Sequence, residues 1–226
     1  MSGRQMMKIR EIQKILRGEI LPHLNGWQIC DRFAYLPEPG DILRGVYLAG
    51  SSSPTVVYVE AFVMPLYVPT DTINFSLSKR LKESNGWERW SVDAAESRAF
   101  ARDLLAAIDQ DGMAWLARFA SPKLVIKQLS ESVNFHDKQV FAYSLAYIGN
   151  AEAAIKCLTE VAEEAEEDVS VSPWLKPIGE RAKHLVELLH EGPEVAKAQL
   201  SKWVDETRKV LNLPVRQVNL NGHSST

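Results

Sequence analysis

Cysteine is nearly missing from this chain. Its two thiols, Cys30 and Cys157, fall in different halves, which excludes a disulfide framework and a four-ligand zinc site and suits a reducing compartment, so a cytoplasmic location is expected. No stretch approaches the roughly 20 uninterrupted apolar residues that a membrane-spanning helix requires. The segment Met1 to Arg10 is polar and basic and runs into an interrupted apolar pattern, so no signal peptide is expected. Positive charge is not in excess either: 26 Lys and Arg stand against 29 Asp and Glu, a formal charge of -3, which disfavours a nucleic-acid or anionic-membrane surface. A Gly-x-Ser-x-Gly elbow, a glycine-rich phosphate loop, a Cys-x-x-Cys pair and a His-Glu-x-x-His run are all missing. The motifs therefore name no catalytic residue, no metal ligand and no cofactor.

What the chain does carry is a change of hydrophobic period near residue 90. A two-residue alternation runs from Trp27 to Leu77, and a three-to-four-residue rhythm from Asp93 to Leu213, which reads as an antiparallel sheet followed by helices. The expected fold class is α+β: an N-terminal helix packed on a four-stranded antiparallel meander, then an all-helical C-terminal half of antiparallel helix pairs. The expected division is an α+β domain over 1–130, a helical repeat-like domain over 131–213 and a disordered tail over 214–226.

The first helix spans about Met6 to Leu24, with Ile9, Ile12, Leu16 and Ile20 at helical spacing and Asn25-Gly26 as its stop. One strand is expected from Trp27 to Tyr35, closed by the Pro37-Glu38-Pro39-Gly40-Asp41 turn. A second runs from Ile42 to Ala49. The third, Thr55 to Met64, is apolar on both faces apart from Glu60, and reads as central. Pro65 and Pro69 forbid a regular interior strand, so Ile73, Phe75 and Leu77 form a fourth strand, at an edge, ending on Lys79-Arg80-Leu81-Lys82. Residues 85–90 read as a connection, Ser91 or Asp93 as the cap of a helix over Ala94 to Asp109, and Gly112 as its interruption.

From Phe135 onward, helices of roughly 13 to 20 residues are separated by Gly149-Asn150, Val171-Ser172-Pro173 and Gly192-Pro193. The pair on either side of Gly149 places Ala142, Leu145, Gly149, Ala154, Leu158 and Val161 where small and apolar residues belong in a tetratricopeptide-like hairpin, which it resembles over residues 135–168. A second resemblance covers roughly residues 6–130. Val63-Met64-Pro65-Leu66-Tyr67-Val68-Pro69, Arg80-Leu81 and Ala114-Trp115-Leu116-Ala117-Arg118-Phe119 look like uncharacterised bacterial α+β domains encoded beside toxin-immunity or phage-defence genes. That likeness implies an immunity or accessory role and supplies no activity.

Three constellations are candidates for function. Glu60 shares a strand face with Tyr58, Phe62 and Met64, and a carboxylate there needs a partner to offset its desolvation, with Arg44 or Arg32 on neighbouring strands as the expected one. Glu60, Arg44 and Tyr58 would be the polar groups of a small-ligand sensor or enzyme with a cleft on the sheet; a structural ion pair is the commoner reading. The acidic run Glu160, Glu163, Glu164, Glu166, Glu167, Asp168 would attract a basic partner, or be a solvated face. Among the six tryptophans, Trp87, Trp90 and Trp174 fall in connections, where an aromatic plugs a junction or anchors a partner. His184 has Glu180 and Glu187 on its helix face, a spacing far more often seen on charged surfaces than at metals.

The leading expectation is thus a non-enzymatic interaction subunit of immunity or defence-accessory type. It would bind a protein partner through the helical half or the domain junction, using Glu163, Glu164, Glu167, Trp87, Trp90 and Trp174. Self-association through the fourth strand's edge is also open.

Overall fold

The computed structural model describes residues 9–37, 40–53, 55–92 and 97–215. Asp93, most of the tail and the first eight residues, on which some expectations fell, lie outside them. The fold is α+β, with a six-stranded antiparallel sheet that one described helix precedes and the others follow. No described helix is long and apolar enough to cross a membrane.

Helix α1 (Ile9–Ile15) continues through a widened turn, Leu16–Ile20, and a short 3-10 turn, Leu21–His23. Ile12, Leu16 and Ile20 are buried, the stripe that their spacing predicts. Strands β1 (Gln28–Cys30) and β2 (Phe33–Tyr35) replace the single strand expected over 27–35. They form a tight hairpin, Cys30 opposite Phe33, because Asp31 adopts a left-handed backbone with φ 50°, a conformation that Asp tolerates better than most residues. Strands β3 (Ile42–Gly50) and β4 (Val56–Pro65) pair along their whole length, from Ile42 opposite Pro65 to Gly50 opposite Val57.

The far edge of β4 is shared by two short strands. Strand β5 (Leu77–Arg80) pairs with residues 60–63 and β6 (Arg89–Ser91) with residues 56–58. The fourth strand therefore starts four residues later than its alternation suggested. Ile73 and Phe75 instead belong to a loop that returns over the sheet, where the Phe75 ring lies 4.6 Å from Tyr47 and 5.9 Å from Phe62. The connection expected over 85–90 is in part the strand β6.

The period of two assigns the two faces. Arg44, Val46, Leu48, Val57, Val59, Ala61, Val63 and Trp90 share one face, on which α3 (Met113–Ala117) packs against β4 and Phe100 of α2 (Ser97–Ala107) meets Trp90. Gly112 does not interrupt: a widened turn, Ile108–Gly112, joins α2 to α3 directly. A Cβ at Gly112 would be 3.5 Å from the Leu81 side chain, so this turn rests on the sheet edge.

Helix α4 (Pro122–Leu129) opens on Ser121, whose Oγ accepts from the Leu124 amide, a serine cap followed by Pro at the first helical position. Helices α5 (Phe135–Tyr147), α6 (Ala151–Glu167), α7 (Lys176–Glu191) and α8 (Pro193–Val210) follow, each packed on the next, with α8 also reaching α5. Ala142, Leu145, Ala154, Leu158 and Val161 are all buried, and Gly149 sits at φ 82° between α5 and α6, where glycine carries no Cβ penalty.

The helices are tied to the sheet through the loop after β4. The buried Tyr67 hydroxyl lies 2.8 Å from Ser144 Oγ, and its ring stacks on Tyr147 at 4.4 Å. Tyr147 in turn donates to Asp41, and Arg208 donates to the Gly40 carbonyl at 2.7 Å.

Burial raises the Tyr67 phenol far above its ordinary value despite the Ser144 hydrogen bond, and burial does the same to Tyr143, against the opposing influence of Arg181 and Gln139. Both are acids whose folded value lies above the unfolded one near 10. Their contribution to stability is complete below pH 10 and is lost as pH rises further, because unfolding then releases protons. A phenolate absorbance titration is expected to show two of the six tyrosines ionising only when the fold melts. Six tyrosines titrating together near pH 10 with the circular dichroism unchanged would contradict their burial.

Candidate functional site

Period and register decide the fate of the sheet cleft first. Tyr47 stands opposite Glu60 and Tyr58 opposite Ala49, so Glu60 and Tyr58 share the face that Phe75 overlies. Arg44 stands opposite Val63 and points the other way, where its Nη1 lies 3.5 Å from the Leu116 carbonyl of α3. Arg44 therefore cannot pair with Glu60, since an odd separation along a strand puts two residues on opposite faces. Burial lowers its pKa from the ordinary value. The partner of Glu60 is Arg80 of β5, at 3.4 Å, and Arg80 also covers the Tyr58 ring at 4.7 Å and reaches Glu88 at 3.5 Å. Arg32 lies over Tyr47 and nearest to Asp31.

A cavity of about 370 Å³ does open on this face, between Cys30, Arg32, Tyr47, Phe75 and the end of α8, but Glu60 and Tyr58 do not line it. The Cys30 thiol donates to the Leu211 carbonyl at 3.2 Å, and burial, then the Asp31 charge, pushes its pKa up. Burial and Glu160 push Cys157 up as well. Neither thiol has the lowered pKa of an activated nucleophile.

The tryptophans separate. Trp90 is 1% exposed: its indole Nε1 donates to the Leu81 carbonyl at 2.9 Å, and Phe100 meets it edge to face at 5.8 Å. It is a core residue of the sheet–α2 interface and is out of reach of a partner, which corrects its expected role. Trp87 is 65% exposed on the loop between β5 and β6, and Trp174 is 53% exposed in the 3-10 turn Pro173–Leu175 that leads into α7. The acidic run is partly neutralised: Glu164 bonds to Lys138 at 2.7 Å and Glu166 to Lys183. Glu163 and Glu167 are exposed and have no ion-pair partner among the described residues.

A larger cavity, about 500 Å³, lies where sheet and helices meet. One wall is the end of β4 and the loop after it, with Met64, Val68 and Pro69 apolar and Thr70, Asp71, Thr72 and Asn74 polar. The other wall is helical. His136, Gln139 and Val140 come from α5, Pro177, Ile178 and Arg181 from the start of α7, and Trp174 from the 3-10 turn that leads into it. Their spacings, three and four residues, put each set on one helix face. Asn134 holds the start of α5 by accepting from the amides of His136 and Asp137, while Asp137 accepts from Ser132 Oγ at 2.6 Å.

The His136 ring stacks on Trp174 at 5.4 Å, nearly parallel, which joins the two helices in one flat aromatic surface. Buried polar atoms around this cavity are left unsatisfied: His136 Nδ1 and Arg181 Nε have no hydrogen-bond partner. Gln139 is only 4% exposed and sits beside the Tyr143 phenol. An apolar concavity with a few convergent polar groups is the usual form of a binding site. Of the residues expected to bind, only Trp174 lies here; Gln139 and Arg181 were missed, and no binding role was expected of His136. Their common helix faces were visible in the sequence, but not which faces would meet.

Compared with protein-family models, curated proteins and solved structures, the chain finds no match in any of the three.

Proposed function

We propose that this protein is a non-enzymatic interaction subunit that docks a protein partner at the junction of sheet and helices, with Trp174 as the anchor. The observation that carries the reading is Trp174, which lines the junction cavity and yet is 53% exposed. It stands at the cavity's mouth, and Val133 (86% exposed) and Val171 (83% exposed) lie in the loops that lead into the two helical walls. An exposed tryptophan at a concavity is the kind of residue that anchors a protein partner, since binding hot spots are enriched in tryptophan. The immunity or accessory role implied by the sequence resemblance would be one setting for such a subunit. Glu163 and Glu167, on the exposed side of α6, would speed the approach of a basic partner without adding much affinity.

A photoreactive residue placed at Val133 tests the reading in cells that make the protein. Irradiation is expected to give one discrete adduct with a second polypeptide, and Trp174→Ala is expected to lower its yield about tenfold, as loss of an anchoring tryptophan does. Trp87→Ala should leave the yield unchanged. No adduct, or adducts indifferent to Trp174→Ala, would rule the junction out as the docking site.

A further inference from the structure

The junction cavity holds a cation that nothing in the fold answers. Arg181 has no carboxylate within ion-pair distance and makes no hydrogen bond among the described residues, and its Nε is buried without a partner. A half-buried guanidinium in that condition is held at a cost that an arriving anion removes, and its planar fork matches a carboxylate. Beside it, Gln139 is more than nine-tenths buried, and its amide can donate to a second oxygen.

Resting on the docking reading above, we infer that the cavity receives the C-terminal residue of the partner chain, its free carboxylate on Arg181 and its apolar side chain against the Trp174–His136 surface. A carboxylate suits the site better than a phosphate. Among the described residues only one cation, Arg181, faces the cavity, and Asp71 on the rim opposes a doubly charged group. A chain end suits it better than a free small acid. A small acid would fill the cavity and leave the exposed part of Trp174 bare, whereas a polypeptide continuing outward covers it.

Calorimetric titration of the full chain tests this with acetylated tripeptides ending Ala-Phe, Ala-Leu or Ala-Trp, each as free acid and as C-terminal amide, and with 3-phenylpropanoate. At least one free acid is expected to bind about tenfold or more tighter than its amide, the margin of a charge-assisted fork. Arg181→Gln should bring that ratio to about one and Arg181→Lys should keep part of it, because charge survives while the fork is lost. Asp71→Asn, at an exposed rim position that the fold does not need, should tighten the acid and leave the amide alone. Equal binding of acid and amide, a ratio unmoved by Arg181→Gln in a protein that melts normally, or no binding by any tripeptide would overturn the inference. Phenylpropanoate binding as tightly as the best tripeptide acid would overturn the chain-end assignment in favour of a free small acid. Failure here is separable from failure of the docking reading. A Val133 adduct that persists in Arg181→Gln and still depends on Trp174 would leave the partner in place and remove only its carboxylate.

Discussion

Trp90→Ala is expected to destabilise the protein by roughly 3–5 kcal/mol, the range for deleting a fully buried tryptophan, and so to lower Tm by about 6–20 °C in a chain of this size. Three losses combine. The indole leaves a void between Val57, which is its neighbour across the ladder, and α2. Phe100 loses its edge-to-face contact. The Leu81 carbonyl loses the donor that satisfies it in a buried position. Trp90→Phe separates these in part, since it keeps an aromatic ring against Phe100 while removing the N–H and leaving a smaller void, and should cost about 1–3 kcal/mol. Trp87→Ala, three residues earlier, should change stability by no more than about 0.5 kcal/mol. Chemical denaturation of the three variants checks the order, and equal effects at 87 and 90 would contradict the register of β6.

The contrast between Trp87 and Trp90 also shows what the sequence could and could not reveal. A strand of three residues has no measurable period, so β6 left no mark, and Trp90 within it read like Trp87 in the loop before it. Strands β3 and β4 were legible because nine or ten residues of β-branched and aromatic character sit between strong turn signals. The hairpin at Asp31 was not, because an Asp in the left-handed region looks like any other Asp until the backbone is seen. Ile73 and Phe75 alternate correctly with Leu77 yet belong to a covering loop: contact with the sheet face from above rewards the same apolar residues that a strand would.

Arg44 and Glu60 show the limit of pattern. Each residue's parity along its own strand was known, but whether the two share a face depends on register, and a slip of one residue reverses the answer. The candidate site was hidden for a related reason. His136 with Gln139, and Trp174 with Arg181, were each on a visible helix face, but the cavity exists only because α5, the start of α7 and the loop after β4 converge, with the chain between them passing through α6. That convergence is a long-range fact, set by the packing of four helices on one another and by Tyr67 fixing the loop to α5.

Gly45→Ala is the most demanding test of the sheet itself. Gly45 lies in β3 between Tyr35 of β2 and Phe62 of β4. A Cβ there would be 2.4 Å from the Ala34 carbonyl oxygen and 3.1 Å from both the Tyr35 Cα and the Phe62 ring. The nearest obstacle is backbone, which cannot rotate aside as a side chain can. Strand β2 would have to move away, yet it is only three residues long, is held on its other side by β1, and buries Phe33, Ala34 and Tyr35. The expected cost is about 3 kcal/mol, at the upper end for overpacking, with a fall in Tm of roughly 6–12 °C. The double variant Gly45→Ala/Phe62→Leu discriminates between the two obstacles. If the ring were the limit, the smaller side chain would restore most of the loss; because the carbonyl is, the double variant should be no more stable than Gly45→Ala. Recovery in the double variant, or a single variant within about 1 kcal/mol of the parent, would mean that β2 does not approach β3 as closely as described, since one added methyl is harmless where space exists.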